Sequence, residues 1–189
     1  MNNHKSESLE RWTEEIMQYH FPRWEDLPDI DLYMDQVLTL IDKYLHIFQT
    51  NEEKNILTSS MINNYVKLKM IPKPIKKRYT KKHLAYLIAI TVLKQVLTIP
   101  EIKKGILLQA NVNGMREAYN LFCTEQEYAL KAIASTISEE KKWPLIQEDT
   151  NKDNRIVRNA ALAVAAKIVT EKILSVMPVE ENGKEENRI

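Results

Sequence analysis

Two adjacent asparagines, Asn63 and Asn64, are the side chains of this sequence best suited to specific recognition. An amide that both donates and accepts can pair with the N6 and N7 edge of adenine through two hydrogen bonds. They lie in TSSMINNYVKLK, residues 58–69, where Ile62, Tyr65 and Val66 repeat at helical spacing on one side. Ser59, Ser60, Asn63, Asn64 and Lys67 then fall on the other side. Hydroxyls at 59 and 60 suit a base or a phosphate, and the ammoniums of Lys67 and Lys69 suit phosphates. Tyr65 is expected to pack its ring inward and present its hydroxyl to a nucleic-acid backbone. The segment KPIKKRYTK follows and adds Lys73, Lys76, Lys77, Arg78, Tyr79 and Lys81.

Charge is distributed to match. Residues 1–53 carry 4 basic and 12 acidic side chains, residues 54–100 carry 10 basic and none acidic, and residues 101–189 carry 13 and 14. A formal net charge of +1 therefore hides a central block of +10. A basic run is usually a solvated face, but one that coincides with a recognition-like helix points to a polyanion. The acidic first third is expected either to offset self-repulsion or to cover the basic block.

Other chemistry has less support. His4, His20, His46 and His83 are scattered and have no His-x₃-His spacing, and Cys123 is alone, so no metal site is expected. Cys123 lies beside Phe122 on an apolar stripe and reads as a small core residue rather than a redox sensor. Glu14-Glu15 and the Asp29/Asp31 pair have capping or surface explanations, and no catalytic set stands out. Three glycines, Gly105, Gly114 and Gly183, cannot supply a dinucleotide fingerprint or a P-loop. The expectation is a protein that is not an enzyme and uses no cofactor. The polar start MNNHKSESLERW and the lone cysteine point to the cytoplasm, and no apolar run is long enough for a membrane.

Helices must position these groups. Residues 8–20 form a short amphipathic helix, broken by Pro22 and Pro28. Asp29 or Asp31 is expected to cap a helix reaching about Phe48, with Met34, Val37, Leu38, Ile41 and Leu45 on its apolar stripe. Residues 50–55 read as a polar loop. Thr58 or Ser59 caps 58–69, and Pro72 and Pro74 stop it. Thr80 caps a strongly apolar helix, and Thr98-Ile99-Pro100-Glu101 is a capping box for the next, ending near Gln109. Asn111 to Gly114 read as a turn. A helix of about twenty residues follows, then a loop at Lys142-Trp143-Pro144, then the longest helix over 154–177. The tail 178–189 has the composition of a disordered segment.

This order, helix, recognition-like helix, basic proline-bounded arm, buried helix, is that of a winged helix-turn-helix. Residues 57–106 resemble the DNA-binding domain of MerR-type regulators. Met61-Ile62, Tyr65, Ile71-Pro72, Lys77-Arg78-Tyr79, Leu84 and Ile99 to Lys103 fit its pattern. The departures are Asn63 for an arginine, Lys69 for a glycine, and a shorter wing without glycine. With LPDIDLYMDQVLTLIDKYL at 27–45 included, residues 20–120 look like the bacterial domain of unknown function 1836.

The expected fold is all-α, a MerR-like winged helix-turn-helix with a short wing over 72–80. The parts are an N-terminal helical extension (1–26), the winged module (27–110), a C-terminal helical region (111–177) and the tail. The partner implied is double-stranded DNA, met by a homodimer that pairs through the C-terminal helices, whose apolar face is broader than one neighbour needs. The alternative is a protein-interaction adaptor whose winged helix no longer binds DNA. A small-molecule effector held among the C-terminal helices is a third reading.

Overall fold

The computed structural model describes residues 3–49, 55–137, 143–145 and 154–177. Within them the chain is all-α: α1 (Asn3–Gln18), α2 (Met34–Tyr44), α3 (Ser59–Lys67), α4 (Lys81–Leu93), α5 (Ile99–Asn113), α6 (Met115–Ala134) and α7 (Arg155–Val176). Among the described residues, extended pairing is confined to two isolated antiparallel bridges, Leu32 with Tyr79 and Ile75 with Arg78. No described helix is long and apolar enough to cross a membrane. The expected loop at 50–55 (all but Asn55) and the tail 178–189 lie outside the described residues.

Helix α4 is the centre of the packing. Its apolar residues cover more than one side, and Leu84, Leu87, Ile88, Ile90 and Val92 are fully buried. It packs against α2 on one side and against α6 and α7 on the other. Helix α7 lies along α6 and also meets α1 and α4. Its buried residues Ala161, Val164, Ala165, Ile168 and Val169 are therefore covered within the chain, which accounts for the broad apolar face read from sequence.

The connector between α1 and α2 is part of this core rather than a linker. Phe21 and Leu27 are buried. Tyr119 donates its hydroxyl to the Pro22 carbonyl at 2.8 Å, and the Trp24 N–H donates to Asn120 Oδ1 at 2.8 Å. Glu127 accepts from the Phe21 N–H at 2.7 Å and pairs with Arg23 at 2.8 Å.

Several starts and stops differ from the sequence reading. Helix α2 is capped at Tyr33, whose N–H donates to Gln36 Oε1 at 2.9 Å, and not at Asp29 or Asp31. Asp29 instead pairs with Lys81. The helix stops at Tyr44, and a short 3₁₀ turn, His46–Phe48, completes the run to Phe48. Asn111 to Asn113 are helical: α5 runs on until Gly114, whose φ of +79° only glycine adopts without strain. The capping residues Thr58, Thr80 and Thr98 hold. His83 completes the cap of α4, where its Nδ1 accepts from the Thr80 N–H at 3.0 Å.

Candidate nucleic-acid interface

Helix α3 turns its apolar side inward and its polar side out. Ile62 and Tyr65 are buried, while Ser59, Ser60, Asn63, Asn64 and Lys67 are exposed. Thr58 Oγ1 accepts from the Met61 N–H at 3.3 Å and opens the helix. The other end closes as a Schellman motif: the Met70 N–H donates to the Tyr65 carbonyl at 2.9 Å and the Lys69 N–H to Val66 at 3.0 Å. Lys69 therefore takes the left-handed position that glycine usually fills, with φ +54°.

The chain then runs through Pro72 and Pro74 to a tight turn at Ile75–Arg78. The Arg78 N–H donates to the Ile75 carbonyl at 2.9 Å, and both central residues have positive φ, +48° at Lys76 and +62° at Lys77. This is type I′ geometry, for which Asn-Gly is the favoured pair. Tyr79 is tied back by two backbone hydrogen bonds to Leu32, at 2.9 and 2.8 Å. Arg78 lies over the Tyr33 ring, 4.7 Å from its centroid, and donates to the Tyr33 hydroxyl at 3.0 Å.

Lys69, Lys76 and Lys77 are the only non-glycine residues of positive φ among the described residues. Each such residue stores roughly 1–2 kcal/mol of backbone strain. All three are exposed, and none joins an ion pair among the described residues. Strain at three points is thus spent on showing ammonium groups to solvent where glycine or asparagine would fold more easily.

A cleft of about 520 Å³ lies between the end of α3, the start of the arm and α5. Lys67, Lys69, Lys73 and Lys103 surround it over an apolar floor that includes Met70 and Ile106, and no carboxylate lines it. Lys103 also donates to the Leu68 carbonyl at 3.2 Å, which fastens α5 to the end of α3. The sequence reading noted Lys103 only as part of the Ile102-Lys103 match and gave it no role.

Most of the expected residues are exposed, and Lys67, Lys69 and Lys73 meet around the cleft. The exposed ones are Ser59, Ser60, Asn63, Asn64, Lys67, Lys69, Lys73, Lys76, Lys77 and Arg78. Tyr65 (4% exposed) packs its ring inward, as expected. Two depart from expectation, Tyr79 and Lys81: Tyr79 (3% exposed) is a core residue tied back to Leu32 rather than part of the exposed arm. Burial raises the pKa of both phenols above the ordinary value, so both stay neutral. Lys81 is engaged by Asp29 and has only 17% of its side chain exposed. Exposed Tyr33 and Ile75 (74%) lie beside the turn and were not anticipated.

The acidic first third does not cover this face among the described residues. Helix α1 packs on α6 and α7, and Glu15 pairs with His46. The Asp29–Lys81 pair, at the start of α4, is the described ion pair that joins the acidic third to the basic block. Cys123 is fully buried, and burial pushes its thiol up to about 12, so it is placed as a core residue.

Comparison with known proteins gives one match. The family model described as Domain of unknown function (DUF1836) matches residues 22–122, more than half of the chain. No curated protein and no solved structure matches it. The matched span runs from the buried connector into α6 and takes in all of the basic face. The chain belongs to the family of the domain of unknown function DUF1836.

Proposed function

We propose that the chain is a DNA-binding transcriptional regulator in which α3 reads the major groove and the Ile75–Arg78 turn acts as a short wing. The observation that carries this reading is the set of three exposed left-handed lysines, 69, 76 and 77, which follow the exposed Ser/Asn face of α3 in a segment without a carboxylate. In a winged helix-turn-helix the phosphate contacts set the register and the outward helix residues reach base edges. Lys67, Lys69, Lys73, Lys76 and Lys77 take the first role, and Asn63 and Asn64 the second. The exposed Ile75 at the turn is suited to apolar contact with a groove wall.

A measurement of duplex affinity against salt tests this directly. Four to five phosphate contacts predict a slope of log affinity against log salt near −4 for one half-site. A flat dependence removes the proposal. A two-fold DNA site would need a second copy of the chain. The buried side of α7 is covered from within, and the exposed apolar side chains suited to pairing include Leu107, Leu108 and Val112 of α5, with Ile156 and Leu174 of α7. Sedimentation across concentration, with Val112→Asp as the disrupting variant, tests that pairing.

The same α5 stripe favours a second reading, a protein-interaction adaptor whose winged helix no longer meets DNA. Under it Val112→Asp abolishes partner capture and duplex binding is absent even at low salt.

A further inference from the structure

We propose that the apolar pocket between α4, α5, α6 and the first turns of α7, partly open to solvent, binds a small apolar molecule, about the size of one aromatic ring or a short alkyl chain. The cavity holds about 100 Å³. It exists because small residues face it: Ala85, Ala89, Gly105, Ala110, Ala118 and Ala160. A Cβ built on Gly105 meets nothing within 4 Å.

The lining is aliphatic or aromatic almost throughout. The two polar groups at its edge are already engaged: Glu101 accepts from Thr98 at 2.8 and 2.7 Å, and Gln109 accepts from Asn113 at 3.3 Å. An apolar pocket lined this way favours an apolar ligand over water. One of about 150 Å³ in another protein takes benzene. Recognition here rests on shape and apolarity, and the volume excludes a peptide helix. Glu101 and Ile156, the exposed members of the lining, mark where the cavity opens.

Its position gives occupancy a consequence. Tyr86 and Ile106 line this cavity and also the lysine cleft beside α3. Helix α5, which forms one wall, holds the end of α3 through Lys103. A molecule that sets the spacing of α4 and α5 therefore sets the shape of the cleft. This coupling rests on the DNA-binding reading, whereas the binding site itself does not.

The test uses the full chain with toluene as the probe, read by saturation-transfer NMR and by thermal melting. Saturable transfer and a rise in Tm with toluene are expected, because a ligand that binds only the folded state stabilises it. Ala89→Leu fills the cavity and is expected to weaken toluene at least tenfold. Gly105→Ala adds a single methyl and is expected to weaken it two- to fivefold while folding at least as well as the parent, which keeps the test decisive if Ala89→Leu fails to fold. Absence of transfer and of a Tm rise in the parent chain overturns the site. Undiminished binding in the folded variants places the probe elsewhere and also overturns it. A dimer by sedimentation that toluene dissociates would show that a second copy's side chain is the occupant, again against the proposal. Duplex affinity with and without saturating toluene is expected to differ at least threefold, and equal affinities overturn the coupling alone. If the chain binds no duplex, the toluene results still stand, so the two failures remain distinct.

Discussion

Glu125 and Glu127 on α6 and Lys69, Lys76 and Lys77 around α3 carry charge under opposite conditions. The two glutamates are buried, and each is met by a partner from elsewhere in the chain. Glu125 receives two hydrogen bonds from Arg158, at 3.0 and 3.1 Å, and Glu127 is held by Phe21, Arg23 and His20. The three lysines stand in solvent on a strained backbone, with no partner among the described residues. A buried charge must be compensated within the fold or the fold is lost. An exposed, uncompensated one adds little to stability. One set of charges thus specifies where α6, α7 and the connector sit, and the other is not used for that purpose among the described residues.

The largest effect expected from this contrast is on the buried side. Glu125→Ala removes a buried carboxylate and the two hydrogen bonds that it takes from Arg158. It should destabilise the chain by about 3–5 kcal/mol in denaturant titration, with duplex affinity of the remaining folded protein unchanged. A loss of affinity in the folded fraction would show that the two regions are not separable.

On the exposed side, Asn64→Ala should weaken the best duplex by about 1–3 kcal/mol and blur sequence preference. Lys77→Ala should instead weaken every sequence alike and lower the salt slope by about 1. Competition binding with a randomised duplex pool separates the two, and identical profiles would mean that α3 does not read bases.

Lys69→Gly sharpens the comparison further, because stability and binding should move in opposite directions. Relief of the left-handed strain should make the chain roughly 0.5–1 kcal/mol more stable, net of the entropy glycine adds to the unfolded state. Loss of the ammonium should lower the salt slope by about 1. A variant that is both less stable and equally good at binding would show that the lysine serves the fold.

The smallest effect is a pH dependence at His83. Burial pushes its pKa below the ordinary 6.5, against opposing pulls from the Pro72 backbone and then Asp31, and with a minor push from Lys82. The unfolded chain then takes up this proton more readily than the folded one. The stability that depends on neutral His83 is present above about pH 6.5 and is lost as pH falls through the depressed folded value. Protonation also removes the acceptor for the Thr80 N–H at the start of α4. His83→Gln keeps an acceptor in the capping position and should flatten this part of the pH–stability curve.

Much of the architecture could be read locally. Thr58, Thr80 and Thr98 each start a helix where a hydroxyl precedes an apolar repeat, and such signals need no knowledge of the rest of the chain. Asn111 and Asn113 misled because asparagine is a turn former by propensity, while packing of Gln109 and Met115 along α5 and α6 carried the helix to Gly114. Asp29 looked like a cap and became the partner of Lys81, some fifty residues away in sequence. The residues of the basic face were visible as types. Their backbone was not, since lysine at 69, 76 and 77 gives no signal for positive φ. The roles of Glu127 and Lys103 depend on partners far along the chain, Phe21 and Leu68, which no spacing pattern encodes.

The pair of hydrogen bonds between Leu32 and Tyr79 makes the connector a splint for the basic turn. Leu32 and Tyr33 supply the strand partner and the ring on which Tyr79 and Arg78 rest. A shortened chain that keeps every lysine of the basic arm but starts at α2 would lose both supports, and the aim of Lys76 and Lys77 would no longer be fixed. The reach of the basic arm is thus governed from a segment of opposite charge.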